Sequence, residues 1–277
     1  MTEPNQTPGA VAVIGGGVMG ETIMSGLLRS GWDPSLVRVS DRRAERLVEL
    51  HDRYGVLTEP NNAALVPGAK TVLLAVKPQD AVVVLDEIAS HLDRDAVLVS
   101  ICVGLPTSLL SAHLRIGQPV IRVMPNTPAR VGQGMSVISP SAEASPEQTE
   151  RVCGMLQSVG SAIVLPESYQ DAVGALSGSG PAYFCYVAEA MIEAGVQGGL
   201  ARPIATELVV QTMLGTATLL KETGEHPTLL REAVTSPGGT TAAAVRQLDA
   251  GAVREGFYAA VEAATDRSAE LARQAEV

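Results

Sequence analysis

Three short segments have residue types and spacing that chemistry can use. In Ala10-Val-Ala-Val-Ile-Gly15-Gly16-Gly17-Val18-Met19-Gly20, the residues Gly15, Gly17 and Gly20 fall at GxGxxG intervals. Gly15 permits a tight turn, Gly17 lets the backbone approach a pyrophosphate, and Gly20 lets helix and strand pack closely. Exposed amides and the helix dipole then attract phosphate without a lysine. The plainer alternative is a glycine-rich turn in an unrelated α/β protein. The second segment, Val37-Arg-Val-Ser40-Asp41-Arg42-Arg43, ends where an adenosine ribose would sit. An acid there suits the 2′-hydroxyl of NAD, whereas arginines and a hydroxyl suit the 2′-phosphate of NADP. Asp41 can instead cap the following helix, which leaves Ser40, Arg42 and Arg43 for the phosphate. NADPH is favoured and NADH stays open. The third segment, Ser236-Pro237-Gly238-Gly239-Thr240-Thr241, reads as a turn opening a helix. Amides around Gly238, Gly239 and Thr240, with the Ser236 hydroxyl, suit a carboxylate. A simple Ser/Thr-capped helix is the competing reading.

The elements that must hold these segments follow from hydrophobic pattern. Strands are expected over Ala10–Ile14, Val37–Ser40, Thr71–Val76, Ala96–Ile101, Val120–Val123, Ser136–Ile138 and Ala162–Leu165. Amphipathic helices lie between them: Met19–Arg29, Ala44–Tyr54, Ala81–His91, Ser108–Leu114 and Pro146–Val159. Ser145-Pro146-Glu147 reads as an N-cap, a proline at the first helical position and an acidic first turn. Short apolar runs in βαβα order predict a mostly parallel sheet buried on both faces. Beyond Leu165 no strand pattern appears, and helices are expected over Gln170–Leu176, Pro181–Ala194, Arg202–Glu222, Thr228–Val234, Thr241–Ala250 and Arg254–Ala275. The expected division is therefore a Rossmann dinucleotide-binding domain over 1–165 and an all-α domain over 166–277. Residues 181–194 and 202–222 are apolar around much of their circumference, more than a domain of this size can bury. A second copy of the chain would cover them, so a homodimer through the C-terminal domain is expected.

Composition narrows the function classes. Twenty basic against thirty acidic residues leave a net charge of −10, and aromatics are 3% of 277 residues. That balance offers neither a basic stripe nor stacking platforms, so no nucleic-acid partner is expected. Cys102, Cys153 and Cys185 are odd in number and widely spaced, which predicts free thiols, no metal site and a cytoplasmic setting. No secretory signal is expected at the start, and no continuous apolar run reaches membrane-spanning length.

Further motifs carry a resemblance. Leu74-Ala75-Val76-Lys77-Pro78, Arg122-Val-Met-Pro-Asn126-Thr-Pro128, Leu176-Ser-Gly-Ser-Gly-Pro-Ala-Tyr183 and Val234-Thr-Ser236-Pro-Gly-Gly-Thr-Thr241 follow the glycine loop in that order. From about Val11 to Phe257 the chain resembles the pyrroline-5-carboxylate reductases, which form L-proline from L-1-pyrroline-5-carboxylate. The resemblance implies a Rossmann domain followed by a helical dimerisation domain, an active site to which the partner subunit contributes, and dimers that in some members build rings. It implies cofactor contacts at Gly15, Gly17, Val18, Met19, Gly20, Ser40, Asn62, Ala75, Val76, Lys77, Pro78 and Val103, and leaves Asp41 against Arg42 and Arg43 undecided. Thr241 would hydrogen-bond the imine nitrogen, and Ser236, Gly238, Gly239 and Thr240 would hold the substrate carboxylate. Lys77 then reads as a cofactor contact rather than a catalyst. Asn126 orders the nicotinamide end or holds a turn. Cys102 reads as a buried small hydrophobe, Cys153 and Cys185 as packing, Arg122 as an ion-pair member in the interdomain cleft, and Glu222, Glu225 and His226 as a solvated helix end. The competing enzyme class, β-hydroxyacid dehydrogenases of the 6-phosphogluconate type, needs a lysine on a helix of the second domain; Lys221 is the only lysine after Lys77 and lies outside such a motif. A non-catalytic nucleotide-binding protein is the other alternative.

Overall fold

Alternate residues of β1 (Val11–Ile14) serve opposite faces of a sheet, because successive side chains of a strand point to opposite sides. Val11 and Val13 join one apolar core, and Ala12 and Ile14 join the other. The computed structural model describes residues 9–275. After β1 come α1 (Val18–Arg29), β2 (Val37–Ser40), α2 (Ala44–Tyr54), β3 (Leu57–Thr58), α3 (Asn62–Leu65), β4 (Thr71–Leu74), α4 (Pro78–Ile88), β5 (Val97–Ser100), α5 (Thr107–Ala112), β6 (Val120–Met124), β7 (Gly134–Pro140), α6 (Pro146–Gln157) and β8 (Gly160–Val164). The sheet order is β3-β2-β1-β4-β5-β6-β7-β8, with every neighbouring pair parallel except β6 and β7. That order places the topological switch between β1 and β4, the position at which α/β sheets bind ligands beyond the carboxyl ends of their strands. Ile23, Met24 and Leu27 of α1 with Val152, Met155 and Leu156 of α6 bury one face; Leu65 of α3, with Ala81, Leu85 and Ile88 of α4, buries the other.

Local signals explain the boundaries. Ser145 caps α6 in a capping box: its hydroxyl accepts the Gln148 amide at 3.1 Å, and Gln148 Oε1 accepts the Ser145 amide at 2.8 Å. β3 and α3 lack expected counterparts because a two-residue strand and a four-residue helix carry no readable period. α4 begins three residues before the expected start, with Pro78 at its first position.

The helical part comprises α7 (Gln170–Val173), a π-helical turn over Gly174–Gly178, α8 (Gly180–Gln197), α9 (Arg202–Thr223), α10 (Pro227–Ala233), α11 (Thr240–Ala250) and α12 (Val253–Ala275). Two compact units divide between Gly178 and Ser179, not at 165, and the chain from Ala264 onward belongs to the first. The reason is visible in the first unit. Buried Gln170 donates to Ser139 Oγ at 2.7 Å, tying α7 to β7, and Ser268 Oγ donates to Asp171 at 2.8 Å. In the second unit Phe184, Tyr186, Leu208, Leu214 and Tyr258 are all more than half exposed. Cys185, expected in packing, is exposed on α8.

α9 corrects one expectation, since by length and composition it could cross a membrane. Its apolar run is not continuous, because Glu207, Gln211 and several threonines interrupt it. In the helix the threonine hydroxyls donate back to the fourth preceding carbonyl, at 2.7 Å from Thr212 to Leu208 and 2.8 Å from Thr218 to Leu214, so they add little polar surface.

Candidate functional site

The carboxyl ends of β1, β4, β5 and β6 bring the Gly15–Gly20 loop, Ala75–Pro78, Val103 and Asn126 to one edge of the sheet. The three motif glycines do three different jobs there. Gly15 has φ +103°, and a Cβ on it would lie 2.6 Å from the Ala75 carbonyl oxygen. A Cβ on Gly20 would lie 2.1 Å from the Gly15 oxygen, so α1 can approach β1 this closely only at glycine. Gly17, the N-cap of α1, has nothing within 4 Å of its Cβ position. The chain itself makes no demand for glycine at 17, whereas a phosphate seated on the helix start would. First-turn amides of α1 at Val18, Met19 and Gly20 have no intrahelical acceptor and form an anion cradle. The residues therefore fit a dinucleotide. Val18 and Val103 are exposed apolar side chains at this edge, while Met19 packs on the core.

At the end of β2, Asp41 does not cap α2, whose N-cap is Arg43 without a side-chain bond. Its carboxylate instead accepts the Gly16 amide at 3.1 Å and the Arg43 amide and Nε at 3.0 and 3.1 Å. Burial acts to raise the Asp41 carboxyl, but the Arg43 hydrogen bonds and charge and the Gly16 amide outweigh it and hold it below its ordinary range. Ser40 is buried, and its hydroxyl donates to Asn62 Oδ1 at 2.7 Å. Asn62 in turn donates to Glu87 at 2.9 Å. Arg42 is exposed and reaches Asp80 in the first turn of α4, its terminal nitrogen 3.0 Å from Oδ2. Lys77 is exposed at the N-cap of α4, with Pro78 following it.

Several supporting residues went unseen in the sequence. Arg46 donates to the Gly16 carbonyl at 2.8 Å and pairs with Glu21 of α1 and Glu49 of α2. Glu21 also receives Arg53 at 2.9 Å and the Tyr54 hydroxyl at 2.8 Å. The spacing of Arg46, Glu49 and Arg53 on one face of α2 was the available signal. Asn126 donates to the Ser177 carbonyl at 3.2 Å and accepts the Met135 amide at 2.8 Å, so it ties the loop after β6 to the π-helical turn. Arg122 is buried and pairs with Glu167 at 3.1 Å, inside the first unit. Cys102 is buried, and that burial pushes its thiol up to about 11, so it is an inert packing residue. His226 caps α10, its Nδ1 accepting the Thr228 amide at 3.3 Å.

In the second unit Ser236–Gly239 form the turn that opens α11, which begins at Thr240 rather than Thr241. Gly238 has φ +69°, and a Cβ on Gly239 would fall 2.5 Å from Ser236 Oγ, so each glycine is needed for its own reason. The Gly239 amide donates to the Ser236 carbonyl at 3.0 Å and is committed to the turn. Amides of Thr240 and Thr241 lie in the first turn of α11, where the helix supplies no acceptor. Ser236 is exposed and Thr241 half-buried.

Residues 167–271 match the family model for pyrroline-5-carboxylate reductase dimerisation, and residues 10–104 match that for NADP oxidoreductase, coenzyme F420-dependent. A pyrroline-5-carboxylate reductase of Corynebacterium melassecola is 45% identical, over 95% of this chain and 98% of that protein. The structure of a pyrroline-5-carboxylate reductase from Coxiella burnetii superposes with a TM-score of 0.92 at 35% identity, covering 95% of this chain and 98% of that one. That of Plasmodium falciparum pyrroline carboxylate reductase, with NADP bound, gives 0.87 at 27% identity over 97% and 100%. Identity at this level over nearly the full length of both chains settles the choice among the alternatives: the chain belongs to the pyrroline-5-carboxylate reductase family.

Proposed function

We propose that the chain reduces L-1-pyrroline-5-carboxylate to L-proline with NADPH, through the Gly15–Gly20 cradle and the Ser236–Thr241 turn. The observation that carries this reading is the open Cβ position at Gly17, where the start of α1 needs a glycine for no packing reason of its own, in a chain that also has a two-glycine turn opening α11. Amides of Val18, Met19 and Gly20 hold the pyrophosphate, and Ala75–Pro78 with Val103 line the path toward the nicotinamide. Arg42 and Arg43 receive the 2′-phosphate; Asn62 fixes Ser40 beside them. Asp41 steadies the loop through Gly16. When bound, NADPH supplies the hydride.

The substrate is a small ring with one carboxylate and one imine. The carboxylate suits the Thr240 and Thr241 amides, with the Ser236 hydroxyl beside them. Gly238 leaves room for the approach. The Thr241 hydroxyl hydrogen-bonds the imine nitrogen. A protonated imine is already electrophilic, so no strong acid is required of the protein, and Ser236–Thr241 contains none. Most of the acceleration comes from holding donor and acceptor carbons in near-attack geometry.

Two copies associate through α8 and α9, whose exposed apolar side chains are those that a dimerisation domain would cover. Association of this kind also gives the apolar surface of α9 a protein partner, in keeping with a cytoplasmic enzyme. The decisive assay follows loss of NADPH absorbance on addition of pyrroline-5-carboxylate and identifies proline as product; no turnover would reject the assignment. Light scattering at low micromolar concentration is expected to give a dimer or a multiple of it, and a monomer would reject the association.

A further inference from the structure

We infer that Asp80 sets the nucleotide preference of the site by competing with the 2′-phosphate for Arg42. Arg42 follows β2 and Asp80 lies in the first turn of α4 after β4, and β1 runs between those two strands in the sheet. Their ion pair therefore spans the carboxyl end of β1, over the side of the glycine loop on which the adenosine half must lie. The contact is two-pronged, with guanidinium nitrogens 3.0 Å from Oδ2 and 3.5 Å from Oδ1. Arg42 is 83% exposed and Asp80 29% exposed, so this is a weak, solvent-screened pair that a phosphate dianion can displace. Asp80 thus does two things to a phosphorylated ribose. It occupies the guanidinium that would grip the phosphate, and it adds a negative charge beside it. A nucleotide with a free 2′-hydroxyl meets neither cost. Arg43 is held differently, since its partner Asp41 belongs to its own loop and also accepts the Gly16 amide.

This inference rests on the reading that Arg42 receives the 2′-phosphate, and the experiment separates the two. Dissociation constants of NADP+ and NAD+ are measured by titration calorimetry for the unmodified chain, Asp80→Asn, Arg42→Ala and the double variant. Asp80→Asn is expected to tighten NADP+ about 3- to 10-fold and to change NAD+ less than about 2-fold. Arg42→Ala is expected to weaken NADP+ about 10-fold or more while sparing NAD+. In the double variant the gain from Asp80→Asn shrinks to the part due to charge alone. If Arg42→Ala discriminates between the nucleotides and Asp80→Asn does not, the role of Asp80 is overturned and the phosphate site stands. If Arg42→Ala affects both nucleotides alike, both readings fall.

Discussion

Adding one methyl group at Gly17 and one at Gly20 should separate nucleotide binding from stability. At Gly20 a Cβ would sit 2.1 Å from the Gly15 carbonyl oxygen, whereas ordinary contact begins at 3.4 Å. α1 must then retreat from β1 by ~1.3 Å against a well-filled core. Overpacking of this kind costs about 1–3 kcal/mol. For a unit of this size that corresponds to a fall in Tm of about 2–12 °C. At Gly17 the methyl meets no protein atom within 4 Å, so the loss is confined to the poorer N-cap preference of alanine. That is about half a kcal/mol, or about 2 °C. The same methyl fills the place where the backbone must come closest to the pyrophosphate, and NADP+ should bind about 10-fold or more weakly. Thermal melts without nucleotide and calorimetric titration with NADP+ give both numbers for each variant. A Gly17→Ala protein that binds NADP+ like the unmodified chain would refute the cradle. One that melts as far down as Gly20→Ala would show that Gly17 is needed for packing after all.

The remaining expectations concern single side chains. Thr241→Ala should lower kcat/KM about 10- to 100-fold, the worth of one hydrogen bond to a charged group, and Thr241→Ser should recover most of it; unchanged steady-state kinetics in the alanine variant would remove Thr241 from the mechanism. Burial acts to raise the Glu21 carboxyl, but hydrogen bonds from Arg46 and Tyr54 and the charges of Arg46 and Arg53 outweigh it and hold it below its ordinary value of 4.5. A carboxyl depressed in the folded state contributes stability above 4.5 that is lost as the pH falls through its folded value. Glu21→Gln should therefore lower the Tm at neutral pH and flatten its acid limb, and melting curves shifted equally at every pH would contradict this. With its thiol pushed up to about 11 by burial, Cys102 should escape alkylation at mildly alkaline pH in the folded chain and react once unfolded; mass spectrometry showing label in the native protein would count against it.

The positions that the sequence made legible are those where one residue type has one physical reason. Short apolar strands buried on both faces, a capping serine at 145 and glycines at 15 and 20 each answer a definite constraint, and the structure places them as the spacing predicts. What stayed hidden depends on contacts between segments. Asp41 is a capping residue by its position before α2, yet its carboxylate turns back to Gly16, twenty-five residues earlier. Arg46 looks like a solvent-facing helix arginine until Gly16 and Glu21 are seen beside it. The expected boundary at 165 followed the last strand, but strands end where pairing ends, and buried Gln170 carries the first unit on to Gly178. The length and mean hydropathy that would let α9 cross a membrane belong to the helix as a whole, and a continuous apolar run does not register them.

The paired arginines also change how a chain of net charge −10 can hold an anionic nucleotide. Arg42 meets Asp80, Arg43 meets Asp41, and Arg46 and Arg53 share Glu21 and Glu49, so four arginines face four carboxylates around this end of the sheet. No basic patch results. On the proposed reading, anchoring then falls to fixed dipoles, the first-turn amides of α1, together with exposed Lys77 at the start of α4. In the proposed site Arg42 would act by exchange, leaving Asp80 for a phosphate. The net gain is a difference between two ion pairs rather than the whole strength of one. On that reading anchoring and discrimination would be separate functions of separate residues. Substitutions at the start of α1 should weaken both nicotinamide nucleotides alike, whereas substitutions in the Arg42–Asp80 pair should divide them.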